Sequence, residues 1–151
     1  MQIQLAKGIF LKATSLLNDT YFEGAIIYII EYNQQGAMGF VINSPFHRKF
    51  NELLEFLDCP PYTLYEGGPV GVDNLYFLHK KPNLIKGGEL VADNVYYGGD
   101  FSMTIQLMMM KTINESEFRL YIGYCGWEAG QLESEIEEGS WEEYKDYQLF
   151  N

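Results

Sequence analysis

The sequence predicts an α+β fold in a single domain spanning residues 1–151. Short runs of β-branched and aromatic residues are joined by turn residues, as in hairpins. Amphipathic helical stretches fall among these runs without the regular strand-helix alternation of a doubly wound sheet. No shift of composition, Ser/Pro-rich linker or internal repeat divides the chain. With 47% hydrophobic and 16% aromatic residues in 151 positions, the core is large enough to fold without disulfides or metals.

The elements follow in order. Gly24 to Tyr32, GAIIYIIEY, is apolar and β-branched, NQQG supplies a turn, and AMGFVIN resumes the apolar run, which predicts a buried hairpin. KFNELLEFL sets Phe50, Leu53, Leu54 and Leu57 at helical spacing before CPP ends the run, because proline cannot donate the next backbone bond. TLYEGGPVGVDNLYFLH predicts strand, glycine-rich loop, strand. In GGDFSMTIQLMMMK, Asp100 is placed to cap a helix whose apolar stripe is Phe101, Ile105, Met108 and Met109, with Lys111 at its C-terminal end. The methionines suit core filling, since unbranched thioethers occupy irregular gaps. EFRLYIGYC predicts a strand, and EAGQLESEIEEG a short acidic helix with Leu132 and Ile136 inward and Gly139 as its C-terminal cap.

Charge restricts the function. Ten Lys and Arg against 21 Asp and Glu give a net charge of −11, which disfavours direct nucleic-acid binding, a process driven by cations that displace phosphate counterions. The segment from Glu115 onward holds 10 acidic and 2 basic residues, either a solvated face or a patch for a basic partner. No apolar run approaches a bilayer span and the start lacks a signal-peptide pattern, so a cytoplasmic protein without membrane association is expected. Cys59 and Cys125 are expected as free thiols in a reducing compartment.

Gly67, Gly68 and Pro69, and again Gly123, Gly126 and Gly130 around Trp127, mark backbone that turns tightly or runs close to another segment. Two such bends meeting at one end of a sheet would form a shallow site with Trp127 as a wall and Gln131 and Glu133 as polar groups. Alternatively, Trp127 and Trp141 are core residues and the polar groups cap backbone. Established signatures are missing. GGPVG has neither dinucleotide-loop spacing nor a following Gly-Lys-Ser/Thr, and no serine sits in a nucleophile elbow. A pairing of Cys125 with His79 is the only thiol couple available, and two histidines give no zinc spacing. No catalytic residue, metal ligand or cofactor is therefore assigned.

Three motifs in one order resemble those of the YqgE/AlgH family of small bacterial proteins. They are the opening strand, turn and hairpin with Asp19, Phe22, Gly36, Ala37, Met38, Gly39 and Asn43; the EGGPVGVDNLYFLH stretch with Gly67, Gly68, Pro69, Val70, Leu78 and His79; and GYCGWEAGQLESEI with Gly123, Tyr124, Gly126, Trp127, Gly130, Gln131, Leu132, Glu133 and Glu135. The chain departs from the family pattern at Ser15, usually Pro, at Ser44, usually Arg, and at Cys125, usually a small residue. The resemblance implies an α+β domain whose mostly antiparallel sheet bends toward a barrel with helices packed around it. The AlgH name also attaches a role in gene regulation. Two expectations about function follow. The first is a non-enzymatic regulatory or protein-interaction module that acts through a protein partner at a groove near the glycine loops. The alternative is a small-molecule binder or weak hydrolase near Trp127, Gln131, Glu133 and His79, with Asn43 nearby.

Overall fold

The structure, a computed structural model, describes residues 3–145 and 147–150. Among them nine strands and two α-helices follow in the order β1 (Phe10–Ala13), β2 (Ile26–Asn33), β3 (Gly36–Val41), β4 (Leu64–Glu66), β5 (Val70–His79), β6 (Glu89–Ala92), β7 (Val95–Tyr97), α1 (Phe101–Met109), β8 (Phe118–Glu128), α2 (Gln131–Glu137) and β9 (Trp141–Glu143). The strands make one sheet, β6-β7-β5-β8-β3-β2-β1-β9, with β4 beside β8. Every pairing is antiparallel except that of β4 with β8. The expected α+β architecture with a bent, mostly antiparallel sheet forms, but the sheet stays open, with β6 and β9 as its ends. The N-terminal segment partly bridges the opening: the Gly8 amide donates to Ile29 O at 2.7 Å and the Lys7 ammonium to Leu90 O at 3.3 Å.

β8 organises the sheet. Its first half pairs with β4 on one side and β5 on the other, through Leu120↔Leu64 and Leu120↔Phe77, and its second half pairs with β3 through Cys125↔Gly39 and Trp127↔Ala37. Side chains of a strand alternate between faces. Before Gly123 the even positions Phe118 and Leu120 enter one outer core and Tyr121 enters the inner face; after it, Tyr124 is inner while Cys125 and Trp127 enter a second outer core. The inner face thus changes from odd to even positions at Gly123. Its φ of +76° supplies the kink that such a one-residue phase change requires.

Three packed clusters result. The inner face of the bend holds Tyr28, Ile30, Phe40, Leu78 and Tyr121, with the Phe40 and Tyr121 rings stacked at 4.7 Å. One outer face carries Ile27, Ile29, Trp127 and Trp141 under Leu132 of α2. The other carries Phe77, Phe118 and Leu120 under Leu107 and Met108 of α1.

Helix α1 begins where expected, the Asp100 carboxylate accepting the Met103 amide at 3.0 Å, an N-cap that satisfies an otherwise orphan donor. Its inward residues are Thr104, Leu107 and Met108, whereas Met109 of the expected stripe is 46% exposed. The Phe50 to Leu57 stretch, expected as a helix, forms two 3-10 turns, Phe50–Glu52 and Leu54–Phe56, separated at Leu53, whose ψ is 138°. The Phe50 amide donates to Tyr62 O at 2.9 Å and its ring stacks on Phe56 at 4.5 Å. These tertiary contacts override the 3.6-residue period and leave Leu54 86% exposed. Among the described residues no helix is long and apolar enough to cross a membrane.

Candidate functional site

The two glycine motifs meet. Both Gly67 and Gly68 are buried against the kink of β8: the Gly67 amide donates to Ile122 O at 2.8 Å, and its carbonyl accepts the Val41 amide at 2.8 Å and the Cys125 thiol at 3.4 Å. The backbones approach so closely that a Cβ on Gly68 would lie 2.1 Å from the Tyr124 carbonyl carbon, and one on Gly123 would lie 2.3 Å from Gly68 O. The crossing is therefore a packed joint, and the open spaces are the clefts on either side of it.

On one side a cleft of about 270 Å³ is lined by Tyr21, Glu23, Val41, Asn43, Ser44 and Glu66. The Tyr21 hydroxyl donates to Glu66 at 2.9 Å; burial first and this carboxylate second push the phenol up, so it stays protonated. Asn43 is committed to the backbone, its carbonyl oxygen accepting the Ile26 amide at 2.9 Å and its amide donating to Gly24 O at 3.0 Å. Glu23 accepts the Asp19 amide at 2.7 Å.

On the other side β5 bulges. Val70 pairs with Tyr124 and Leu75 with Ile122, so the four residues Gly71 to Asn74 stand against a single position of β8. Together with Leu54, Phe56, Phe101 and Ile122 the bulge lines a groove of about 400 Å³. Within it Leu54 is 86% exposed, Val72 53% and Phe101 37%. Glu55 and Asp73 stand beside these apolar side chains.

Beyond the crossing, β8 delivers Trp127 to the outer core and a turn at Gly130, φ +81°, starts α2. Glu135 accepts the indole N–H of Trp127 at 3.1 Å and of Trp141 at 3.0 Å through the same oxygen, while its other oxygen accepts the Gln131 amide at 3.2 Å. Gln131 in turn accepts the Glu128 amide at 3.0 Å. Glu133 points elsewhere and accepts the hydroxyl of Tyr32.

His79 ends β5 opposite Phe118, nine residues before Trp127 on β8, a separation of up to about 30 Å along a strand. It is fully buried. Its Nδ1 accepts the Lys81 amide at 3.0 Å and Nε2 donates to Gly98 O at 3.0 Å, so both nitrogens of the neutral ring are occupied. Burial lowers its pKa, and the Gly98 carbonyl opposes this less strongly. The unfolded chain binds a proton that the folded one refuses, so this contribution to stability is complete above the unfolded pKa of 6.5 and declines as pH falls below it. Urea midpoints measured from pH 7.5 to 5 are expected to fall more steeply for the wild type than for His79→Gln; parallel curves would refute the assignment.

Cys125 is buried, and desolvation raises its thiol to about 12, which suppresses the thiolate a nucleophile needs. Among the described residues no three His, Cys, Asp or Glu side chains are placed to hold a metal ion.

A model of the AlgH-like family matches residues 10–148. The chain belongs to the AlgH-like family. A UPF0301 protein of Chlorobium limicola is 38% identical over 138 residues, covering 91% of this chain and 74% of the relative. A UPF0301 protein of Cytophaga hutchinsonii is 35% identical over 138 residues, with coverage of 91% and 76%. Among solved structures, the solution structure of the Pseudomonas aeruginosa AlgH protein superposes with a TM-score of 0.78 at 30% identity, covering all of this chain and 85% of that one. A Corynebacterium diphtheriae protein gives 0.77 at 22% identity over 95% and 77% of the two chains, a likeness of fold alone.

In this AlgH-like chain the residues singled out from sequence divide into three places. Gly67, Gly68 and Cys125 form the joint, with exposed Pro69 leading into the β5 bulge and Asn43 on the smaller cleft. Gly126, Trp127, Gly130, Gln131 and Glu133 lie along the end of β8 and the start of α2. His79 stands apart in the other half of the sheet. Sequence reasoning missed Tyr21 and Glu66, which meet across 45 positions and leave no local signal, and it undervalued Glu135, whose i+4 spacing from Gln131 on an acidic helix was the available signal.

Proposed function

We propose that this AlgH-like chain is a non-enzymatic regulatory module that acts by docking a protein partner in the groove between the 3-10 turns at Leu54 and the β5 bulge. The observation that carries this reading is the grouping of Leu54, Val72 and Phe101 as exposed side chains along one groove beside the glycine joint, since exposed apolar patches mark interaction sites. The commitment of Asn43, Gln131, Glu133, Glu135 and His79 to internal hydrogen bonds supports it from the other direction, leaving these groups without a free acid or base aimed at a common point. Glu55 and Asp73 on the groove, in a chain of net charge −11, favour a partner segment that is apolar and flanked by Lys or Arg. Regulation of a gene would then run through that partner and not through DNA.

The test is affinity capture from cytoplasmic extract with the wild type and with a Leu54→Asp, Val72→Asp double variant, matched by circular dichroism. A partner retained by the wild type and lost by the folded variant is expected. Identical captures, or a sequence-specific gel shift at physiological salt, would overturn the proposal.

A further inference from the structure

A second cleft, on the inner face of the bend and separate from the groove, carries the features of a small-molecule site. Its volume is about 430 Å³, and its walls include Phe10, Tyr28, Lys80, Asp93 and Val95. Gly8 and the C-terminal segment Tyr147 to Phe150 complete the wall. Tyr147 packs on Phe10 at 5.1 Å and on Tyr144 at 5.4 Å. The Phe150 ring is flanked by two cations, Lys80 Nζ at 5.9 Å and Arg119 Cζ at 5.5 Å from its centroid. Among the described residues no hydrogen bond ties positions 147–150 to the sheet, so side-chain packing holds this segment in place.

The aromatic cluster on which this segment packs holds an unexplained polar group. Tyr121 is fully buried, and its hydroxyl is the one buried side-chain nitrogen or oxygen among the described residues with no hydrogen-bond partner. Such an orphan is costly and uncommon in native proteins. It belongs to the same aromatic cluster as Tyr28, Val95, Tyr147 and Phe150, and the Arg119 guanidinium is near enough for its charge to bear on it. A donor without an acceptor, two cations resting on a ring, and apolar walls together describe a complement for an aromatic ring that bears an anionic acceptor.

We propose that this cleft binds a small aromatic carboxylate, and that Phe150 occupies the ring position until such a ligand displaces it. The ring of the ligand stacks among Phe10, Tyr28 and Val95; its carboxylate accepts from Tyr121 and meets Lys80 and Arg119. Asp93 on the wall disfavours a dianion, so a monocarboxylate is preferred. An internal occupant reduces apparent affinity by the fraction of molecules whose site is closed.

The probe is 2-naphthoate, titrated calorimetrically into the full chain with 2-naphthylmethanol and 2-naphthylmethylamine as neutral and cationic controls. We expect naphthoate to bind with a Kd below about 1 mM and the controls to bind at least about tenfold more weakly. Phe150→Ala should tighten naphthoate binding several-fold by vacating the site. Tyr121→Phe should weaken it about tenfold, the size of a hydrogen bond to a charged group, while its melting temperature stays level or rises because the orphan hydroxyl is gone. No binding by either the wild type or Phe150→Ala, equal binding of the three probes, or no effect of Tyr121→Phe would overturn the proposal. The Leu54→Asp, Val72→Asp variant should bind naphthoate as the wild type does, which separates this site from the partner groove.

Discussion

Gly68→Ala is expected to destabilise the fold by about 4 kcal/mol or more, at the extreme end of single substitutions, and to lower the melting temperature by roughly 10 °C or more in a domain of this size. The new methyl group would stand 2.1 Å from the Tyr124 carbonyl carbon, 2.2 Å from its oxygen and 2.6 Å from the Cys125 nitrogen. All three are backbone atoms of β8, so no rotamer change relieves the clash and the strands must separate. Separation strains the bonds between Gly67 and both Ile122 and Val41. Gly126→Ala is the control: its Cβ would meet nothing nearer than Tyr124 Cε2 at 3.4 Å, the edge of a side chain that can give, and a change below about 1 kcal/mol is expected. Thermal melts of the two variants compare them directly, and equal losses would refute the backbone-contact account.

Glu135→Ala should be the most damaging change at a polar position of α2, at about 3 kcal/mol. It leaves the indole N–H groups of Trp127 and Trp141, which are 7% and 3% exposed, without their shared acceptor, and an unpaired buried donor costs about 1–3 kcal/mol. Glu135→Gln retains a carbonyl oxygen for both indoles and should recover more than half of the loss. Glu133→Ala, which removes only the bond from Tyr32, should cost under about 1 kcal/mol. Urea denaturation followed by tryptophan fluorescence reads all three variants; a Glu133 effect as large as that of Glu135 would contradict the geometry.

Much of the architecture was legible because its signals are local. The hairpin of β2 and β3 follows from β-branched runs around a turn, and α1 starts at the Asp100 cap for a reason contained in four residues. What lay beyond the sequence depends on phase and on distant partners. The helical spacing of Phe50, Leu53, Leu54 and Leu57 is genuine as a pattern, yet stacking of Phe50 on Phe56 dictates which residues turn inward. Glu133 and Glu135 are equally acidic and sit on one short helix; the approach of Trp141 from β9 is what makes Glu135 the acceptor. The glycines announced close backbone contact, but the identity of the contacting strand required the fold. Charge leaves the segment after Glu115 as either a solvated face or a patch for a basic partner, and says nothing of Tyr147, Leu149 and Phe150 within it, which pack onto the inner aromatic cluster.

The sharing of β8 between two halves of the sheet also bears on the order in which the chain is made. The β2–β3 hairpin and the pairings of β5, β6 and β7 can form as synthesis proceeds, but β4 has only its antiparallel bridge from Tyr65 to Pro45 until residues 120–122 emerge, and β3 lacks its second strand neighbour until residues 125–128 follow. More than a hundred residues therefore leave the ribosome before the element that joins them, with edges of β3 and β5 open in the interval. Open edges of that kind invite pairing with other chains, so the arrival of β8 completes the sheet and also closes the edges through which an unfinished chain would aggregate.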